Sequence, residues 1–206
     1  MSIRAHYDHW SKIYDFNDNK TRDLDQKATI EVLNKYSFDS VIELGCGTGK
    51  NTQWLLKKAN KIYGLDFSEK MLDLAKLKIT SDKVKFIQCN ILQDWPITEK
   101  NFDLITSSLT LEHIENLNDI FAKAYSYLRK SGLFFISELH PFKQYLGSKA
   151  KFEENNKTTE LKTYIHNISD FLDSGDKAGF KLIELQEWFD EDDINLPRLI
   201  TFVFQK

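Results

Sequence analysis

Three glycines at alternate positions, Gly45, Gly47 and Gly49, stand directly behind a short apolar run in the stretch VIELGCGTGKN. Glycine has no Cβ, so a loop of this density brings backbone close to a ligand and turns through positive φ without strain. Three chemistries use such loops. A phosphate loop requires G-x-x-x-x-G-K-[ST]; Gly49-Lys50 supplies the glycine–lysine pair, but the first position falls on Leu44 and the last on Asn51. The dinucleotide fingerprint G-x-G-x-x-G matches at Gly45 and Gly47 and fails at Lys50. The third pattern, an acid followed by x-G-x-G-x-G, is complete over residues 43–49, with Glu43 as the acid.

Other reactive groups are few. Cys46 and Cys89 form no CxxC pair and lie outside ligand spacing of any histidine, which predicts no zinc site. Histidine is the side chain best suited to take a proton near neutral pH. His113 and His140 follow apolar strand signals, each a candidate base and equally a hydrogen-bonded residue shaping a loop; His166, in YIHNISD, is a third candidate that could close over the pocket from the insertion, with a structural role the preferred reading. The run DEDD, 190–193, reads as a solvated hairpin turn rather than a metal site.

The elements that must carry these residues alternate. Leu24, Ala28, Val32, Leu33 and Tyr36 recur at helical spacing and predict a helix over 22–36. Strand signals occur at 40–44, 61–65, 84–88, 102–107 and 133–139. Ser68 is a cap for a helix carrying Met71, Leu72, Ala75 and Ile79. Leu117, Ile120, Phe121, Ala124, Tyr125 and Leu128 form another helix, with Gly132 as its expected stop. Alternation of buried strands and crossover helices predicts an α/β fold with a parallel sheet. After a helix near 169–178, strands at 181–187 and 198–205 are too close for a helical crossover and must pair antiparallel, giving seven strands. The expectation is a single domain: an aromatic arm over 1–21 with Tyr7, Trp10 and Tyr14, a core over 22–140, an insertion over 141–166, and a helix and hairpin over 167–206.

Five stretches in this order, VIELGCGTGKN, YGLDFSEKML, VKFIQCNILQDWP, FDLITSSLTLEHIENL and AYSYLRKSGLFFISELHP, resemble the class I S-adenosylmethionine-dependent methyltransferases. The resemblance runs from about 40 to 140 and implies a Rossmann-like three-layer sandwich, a seven-stranded mostly parallel sheet with a C-terminal antiparallel hairpin. It implies S-adenosyl-L-methionine as cofactor and S-adenosyl-L-homocysteine as its product. Gly45, Cys46, Gly47 and Gly49 would border the cofactor, and Glu43 would lie near its ammonium. Asp66 would accept both ribose hydroxyls; Phe67, Met71 and Ile91 would flank the adenine. Asn90 stands where the family commonly has Asp. Thr106, Ser107 and Leu109 would line the methionine side, His113 would face the substrate, and Tyr14 would touch the cofactor from the arm. Thr106-Ser107-Ser108 supplies no acid of the kind that holds magnesium in catechol-type members, so no metal is expected.

The balance of 41% hydrophobic and 29% charged residues is that of a globular protein. A net charge of -3 supplies no field for nucleic acid or an anionic membrane. The opening MSIRAHYDHW has no apolar leader core, and no apolar run approaches the roughly 20 residues of a membrane span. The expectation is a cytoplasmic enzyme, monomer or homodimer, methylating an O, N or C atom of a small metabolite. The alternatives are a catalytically silent cofactor-binding regulator and, failing at Lys50, a nicotinamide-dependent oxidoreductase.

Overall fold

The computed structural model describes residues 7–8, 19–148, 151–154 and 157–206. Tyr14 and Trp10 lie outside the described residues. Helix α1 (Lys20–Leu33) begins where the Asn19 side chain accepts the Arg22 N–H. Then follow β1 (Ser40–Leu44), α2 (Lys50–Leu55), β2 (Lys61–Asp66), α3 (Glu69–Lys78), β3 (Val84–Gln88) and β4 (Phe102–Ser108). The chain continues through α4 (Asn118–Tyr127), β5 (Leu128–Leu139) and α5 (Pro141–Tyr145). A small hairpin, β6 (Lys151–Glu154) and β7 (Lys157–Glu160), precedes α6 (Ile168–Ala178), β8 (Lys181–Asp190) and β9 (Asp193–Gln205).

The seven-stranded sheet has the order β3-β2-β1-β4-β5-β9-β8, with β1 to β5 parallel and β9 antiparallel to both neighbours. Strand order reverses between β1 and β4, the place where open α/β sheets leave a crevice at their carboxyl ends. Burial on both faces explains the near-continuous apolar strands. On one face Val32 and Leu33 of α1 and Trp54 and Leu55 of α2 pack with Val41 and Phe135. On the other, Phe121 of α4 and Phe171 of α6 pack with Ile42, Phe134 and Phe202. Phe171 stacks on Phe202 at 4.8 Å, and Phe121 meets Phe134 and Phe204 edge-on.

Two expectations change. Gly132 does not stop a helix: α4 ends at Tyr127, and Gly132 lies inside β5. Pairing between β4 and β5 shifts register between Phe102 and Leu104, and a Cβ on Gly132 would come within 2.9 Å of the Phe102 and Arg129 carbonyls. The glycine admits a close backbone approach at an irregular strand entry. The acidic run is only partly a solvated turn. Glu191 and Asp192 are exposed, but Asp190 is buried and takes both Arg198 Nε and Nη2 at 2.5 Å, which holds its carboxyl below the usual range. The 141–166 segment carries α5 and the β6–β7 hairpin.

Gly175 of α6 lies against the buried Phe204 ring, and a Cβ there would approach it to 2.6 Å. Replacing a helical glycine by alanine stabilises by about 1 kcal/mol through propensity, whereas overpacking costs about 1–3 kcal/mol. Phe204 is ringed by Phe121, Phe180 and Phe202, so the clash wins. Urea denaturation of Gly175→Ala should therefore show a lower midpoint than the wild type; an equal or higher one would mean that the ring can yield.

Candidate functional site

The loop after β1 turns through Gly45, Gly47 and Gly49 at φ of 70°, 53° and 81°, all left-handed. Gly49 then opens α2, with Lys50 as its first residue. Glycine is needed at Gly45 for a second reason: a Cβ would overlap the Thr110 side chain from the loop after β4. The Gly45 and Cys46 N–H groups both donate to the Leu65 carbonyl, at 2.8 and 3.0 Å, tying this loop to the end of β2.

Asp66 closes β2. Its Oδ2 accepts the Gly47 N–H and its Oδ1 the Ser68 N–H, each at 2.8 Å. Burial nevertheless pushes its carboxyl up to about 6, the N–H groups only partly opposing the loss of water. Ser68 caps α3 by accepting the Met71 N–H, as its position implied. Its hydroxyl also donates to Asp8 at 2.6 Å.

These loops enclose a cavity of about 310 Å³. Of the candidates above, Gly45, Gly47, Asp66, Phe67, Met71, Asn90, Ile91, Leu109 and His113 line it, together with Ser108, Thr110 and Tyr7. The Asn90 Oδ1 accepts the Leu92 N–H at 3.0 Å. A smaller recess of about 60 Å³ shares Gly45, Gly47, Ser108 and Leu109, and is lined by Glu43, Cys46 and Asp25. Gly49 lines neither space, nor do Thr106 and Ser107. Both of the latter are buried within β4, so the strand's exit at Ser108, rather than Ser107, reaches the cavity.

The three histidines separate. His113 faces the cavity, with Nδ1 3.0 Å from the Lys162 carbonyl and Nε2 2.8 Å from the Tyr7 hydroxyl. A carbonyl only accepts, so Nδ1 carries the proton and Nε2 of the neutral ring takes the Tyr7 O–H. Burial lowers the His113 pKa and keeps the ring neutral. His140 instead caps α5, its Nδ1 accepting the Phe142 N–H while Nε2 lies 3.1 Å from Glu187. His166 bonds the Ile114 carbonyl at 2.7 Å. Neither His140 nor His166 lines the cavity. Cys46 is buried, and burial raises its thiol well above the usual range. Among the described residues no cluster of His, Cys, Asp and Glu could hold a metal ion.

Residues 42–136 match the model of a methyltransferase domain. Over that stretch, which holds the glycine loop and Asp66, the chain is similar to the methyltransferase-domain family. It is 31% identical over 143 residues to a malonyl-[acyl-carrier protein] O-methyltransferase of Priestia megaterium, an alignment covering 66% of this chain and 50% of that protein. It is 28% identical over 210 residues to a demethylmenaquinone methyltransferase of Lactococcus lactis, covering 90% of this chain and 82% of that one. The chain thus spans about half the length of the first of these curated relatives. A solved S-adenosylmethionine-dependent methyltransferase of Mesorhizobium loti shares the fold, with a TM-score of 0.72 at 19% identity, covering 89% of this chain and all of that one.

The chain also buries acids that its sequence pattern did not single out. Asp25 on α1, Glu112 after β4 and Glu138 on β5 join Glu43 along the carboxyl edge. Glu138 had a signal, a lone acid inside the apolar run FFISEL, as Glu43 is in VIEL. Asp25 had none, being one polar residue of a helix whose apolar spacing omits it. Burial lifts Glu112 to about 7 and Glu43 and Glu138 to about 8. Glu43 is held by the Thr52 hydroxyl at 2.5 Å.

A carboxyl whose folded pKa is raised binds its proton more tightly when folded, so its contribution is complete below the unfolded value and is lost as pH rises to the folded one. For Glu43 that window runs from about 4.5 to about 8. The melting temperature of the ligand-free protein should therefore fall across this window. It should fall less steeply in Glu43→Gln, as differential scanning calorimetry against pH would show; an unchanged slope would mean that Glu43 is ionised in the folded state.

Proposed function

We propose that this chain transfers the methyl group of S-adenosylmethionine to an O, N or C atom of a small metabolite. The observation that carries the reading is the Asp66 carboxyl at the end of β2, facing the same cavity as the Gly45–Gly47 backbone. Carboxylate oxygens there accept vicinal ribose hydroxyls, and the apolar walls of Phe67, Met71 and Ile91 suit a flat purine. The fit extends to charge. Asp25 and Glu43 border the adjoining recess, Asp25 Oδ1 has no hydrogen-bond partner, and burial raises both carboxyls. A ligand bearing an ammonium and a sulfonium supplies the missing positive charge.

The cofactor supplies a methyl group already activated on sulfur. The protein's part is alignment: the glycine loop, Asp66 and the β4 exit hold the donor, and the cavity wall at Leu109 and His113 positions the acceptor. Orientation in a dry site contributes roughly 7–11 kcal/mol. Where the acceptor must lose a proton, His113 Nε2 is the pocket-side base, taking that proton either through the Tyr7 hydroxyl it accepts from or after the acceptor displaces that hydroxyl, a contribution of about 10²–10⁴-fold. His140 and His166 are assigned structural roles here, the first on the α5 cap and the second on Ile114. Tyr7 stands over His113 at the cavity wall, and the Lys162 carbonyl holds His113 from the other ring nitrogen. No helix among the described residues is long and apolar enough to cross a membrane.

Isothermal titration calorimetry with S-adenosylmethionine, S-adenosylhomocysteine and NAD tests the reading. The first two should bind and NAD should not. Asp66→Ala, checked for folding by circular dichroism, should weaken S-adenosylhomocysteine at least about a hundredfold, two hydrogen bonds to a charged group being lost. Tight NAD binding without response to the others, or unchanged affinity in the variant, would refute it.

A further inference from the structure

We infer that Glu138 is a positioning residue, whose carboxyl group holds the 109–114 loop in the shape that walls the cofactor cavity; the inference rests on the cavity being an S-adenosylmethionine site. Its Oε1 accepts two successive backbone N–H groups, from Thr110 at 2.9 Å and Leu111 at 2.7 Å. Glu138 lies on β5 and is 2% exposed, so the anchor is fixed to the sheet rather than to the loop it holds.

The loop needs an anchor. Leu109 sits at φ 50°, a left-handed conformation that a leucine keeps only where its surroundings impose it. Three consecutive N–H groups are gripped by β5: Leu109 by the Ser137 carbonyl at 2.8 Å, then Thr110 and Leu111 by Glu138. The grip presses Thr110 against Gly45, where no Cβ stands in the way. It also sets the 3₁₀ turn Leu111–His113, from which His113 reaches the cavity. Removing the Glu138 oxygen would orphan two N–H groups and leave a strained leucine held from one side only.

The second oxygen, Oε2, is buried and has no hydrogen-bond partner. The groups facing it are Glu112 from the turn, Asp25 from α1, Gln144 from α5, and Tyr164 and His166 from the segment before α6. Glu112 Oε2 is likewise unpartnered, and no lysine or arginine lines this recess. Two unpaired carboxyl oxygens in one dry recess favour a proton on the pair. The anchoring oxygen then behaves as the carbonyl of a neutral acid, a shape that glutamine reproduces.

The test is the affinity for S-adenosylhomocysteine by calorimetry as a function of pH, for wild type, Glu138→Gln and Glu138→Ala. At about pH 6 the wild type and Glu138→Gln should agree within about twofold, while Glu138→Ala should bind about tenfold or more weakly. From about pH 6 to about pH 9 the wild type should lose more affinity than Glu138→Gln, because only the glutamate gains a charge beside Glu112. A glutamine variant as weak as alanine at low pH, an alanine variant as tight as wild type, or parallel pH profiles for wild type and glutamine would overturn the inference. If Glu138→Ala does not fold, the comparison of the wild-type and glutamine profiles decides alone. No binding by the wild type at any pH would refute the cofactor reading itself, a distinct result.

Discussion

Everything at the carboxyl edge of the sheet depends on one buried carboxyl group. Asp66 joins two loops that the sequence separates by nearly twenty residues, accepting the Gly47 N–H on one oxygen and the Ser68 N–H on the other. The glycine loop after β1 is thereby registered on the cap of α3, and the Leu65 carbonyl reinforces the tie through Gly45 and Cys46. A loop with three positive-φ glycines has little intrinsic stiffness; the acid gives it a shape. The same carboxyl lines the cavity.

The cost of this arrangement is electrostatic. Asp25, Glu43, Asp66, Glu112 and Glu138 are all buried along the same edge, and burial raises every one of them. A protein interior selected for stability alone would not collect unpaired acids. Stability given up at a site in this way is recovered on binding, and in the proposed reading the ligand's positive groups meet Asp25 and Glu43. The β4 exit shows the same logic in its backbone, where Leu109 is held at φ 50° beside the cavity.

Most of the frame was legible in the sequence because it follows local rules. Apolar runs marked the five parallel strands, Ser68 announced its helix, and the interval between the last two strands required an antiparallel pair. The glycine spacing and Asp66 located the cavity. What escaped depends on contacts distant in sequence. Gly132 reads as a helix stop until β4 is seen to pass within 2.9 Å of it. His140 and His166 read like His113 until their partners, the α5 cap and the Ile114 carbonyl, come into view. Asp25 lies among ordinary polar residues of a helix, and only packing brings it to the recess. Ser107 and Ser108 are neighbours of one type, and strand pleating alone decides which reaches the cavity.

The central claim is that Asp66 and the glycine loop hold the adenosine of S-adenosylmethionine in the cavity between β1, β2 and β4. A crystal structure of the protein with S-adenosylhomocysteine tests it most directly. The account predicts both ribose hydroxyls within hydrogen-bond distance of the Asp66 carboxyl, with the adenine between Met71 and Ile91. Ligand density elsewhere on the molecule, or an adenosine that makes no contact with Asp66, would contradict it.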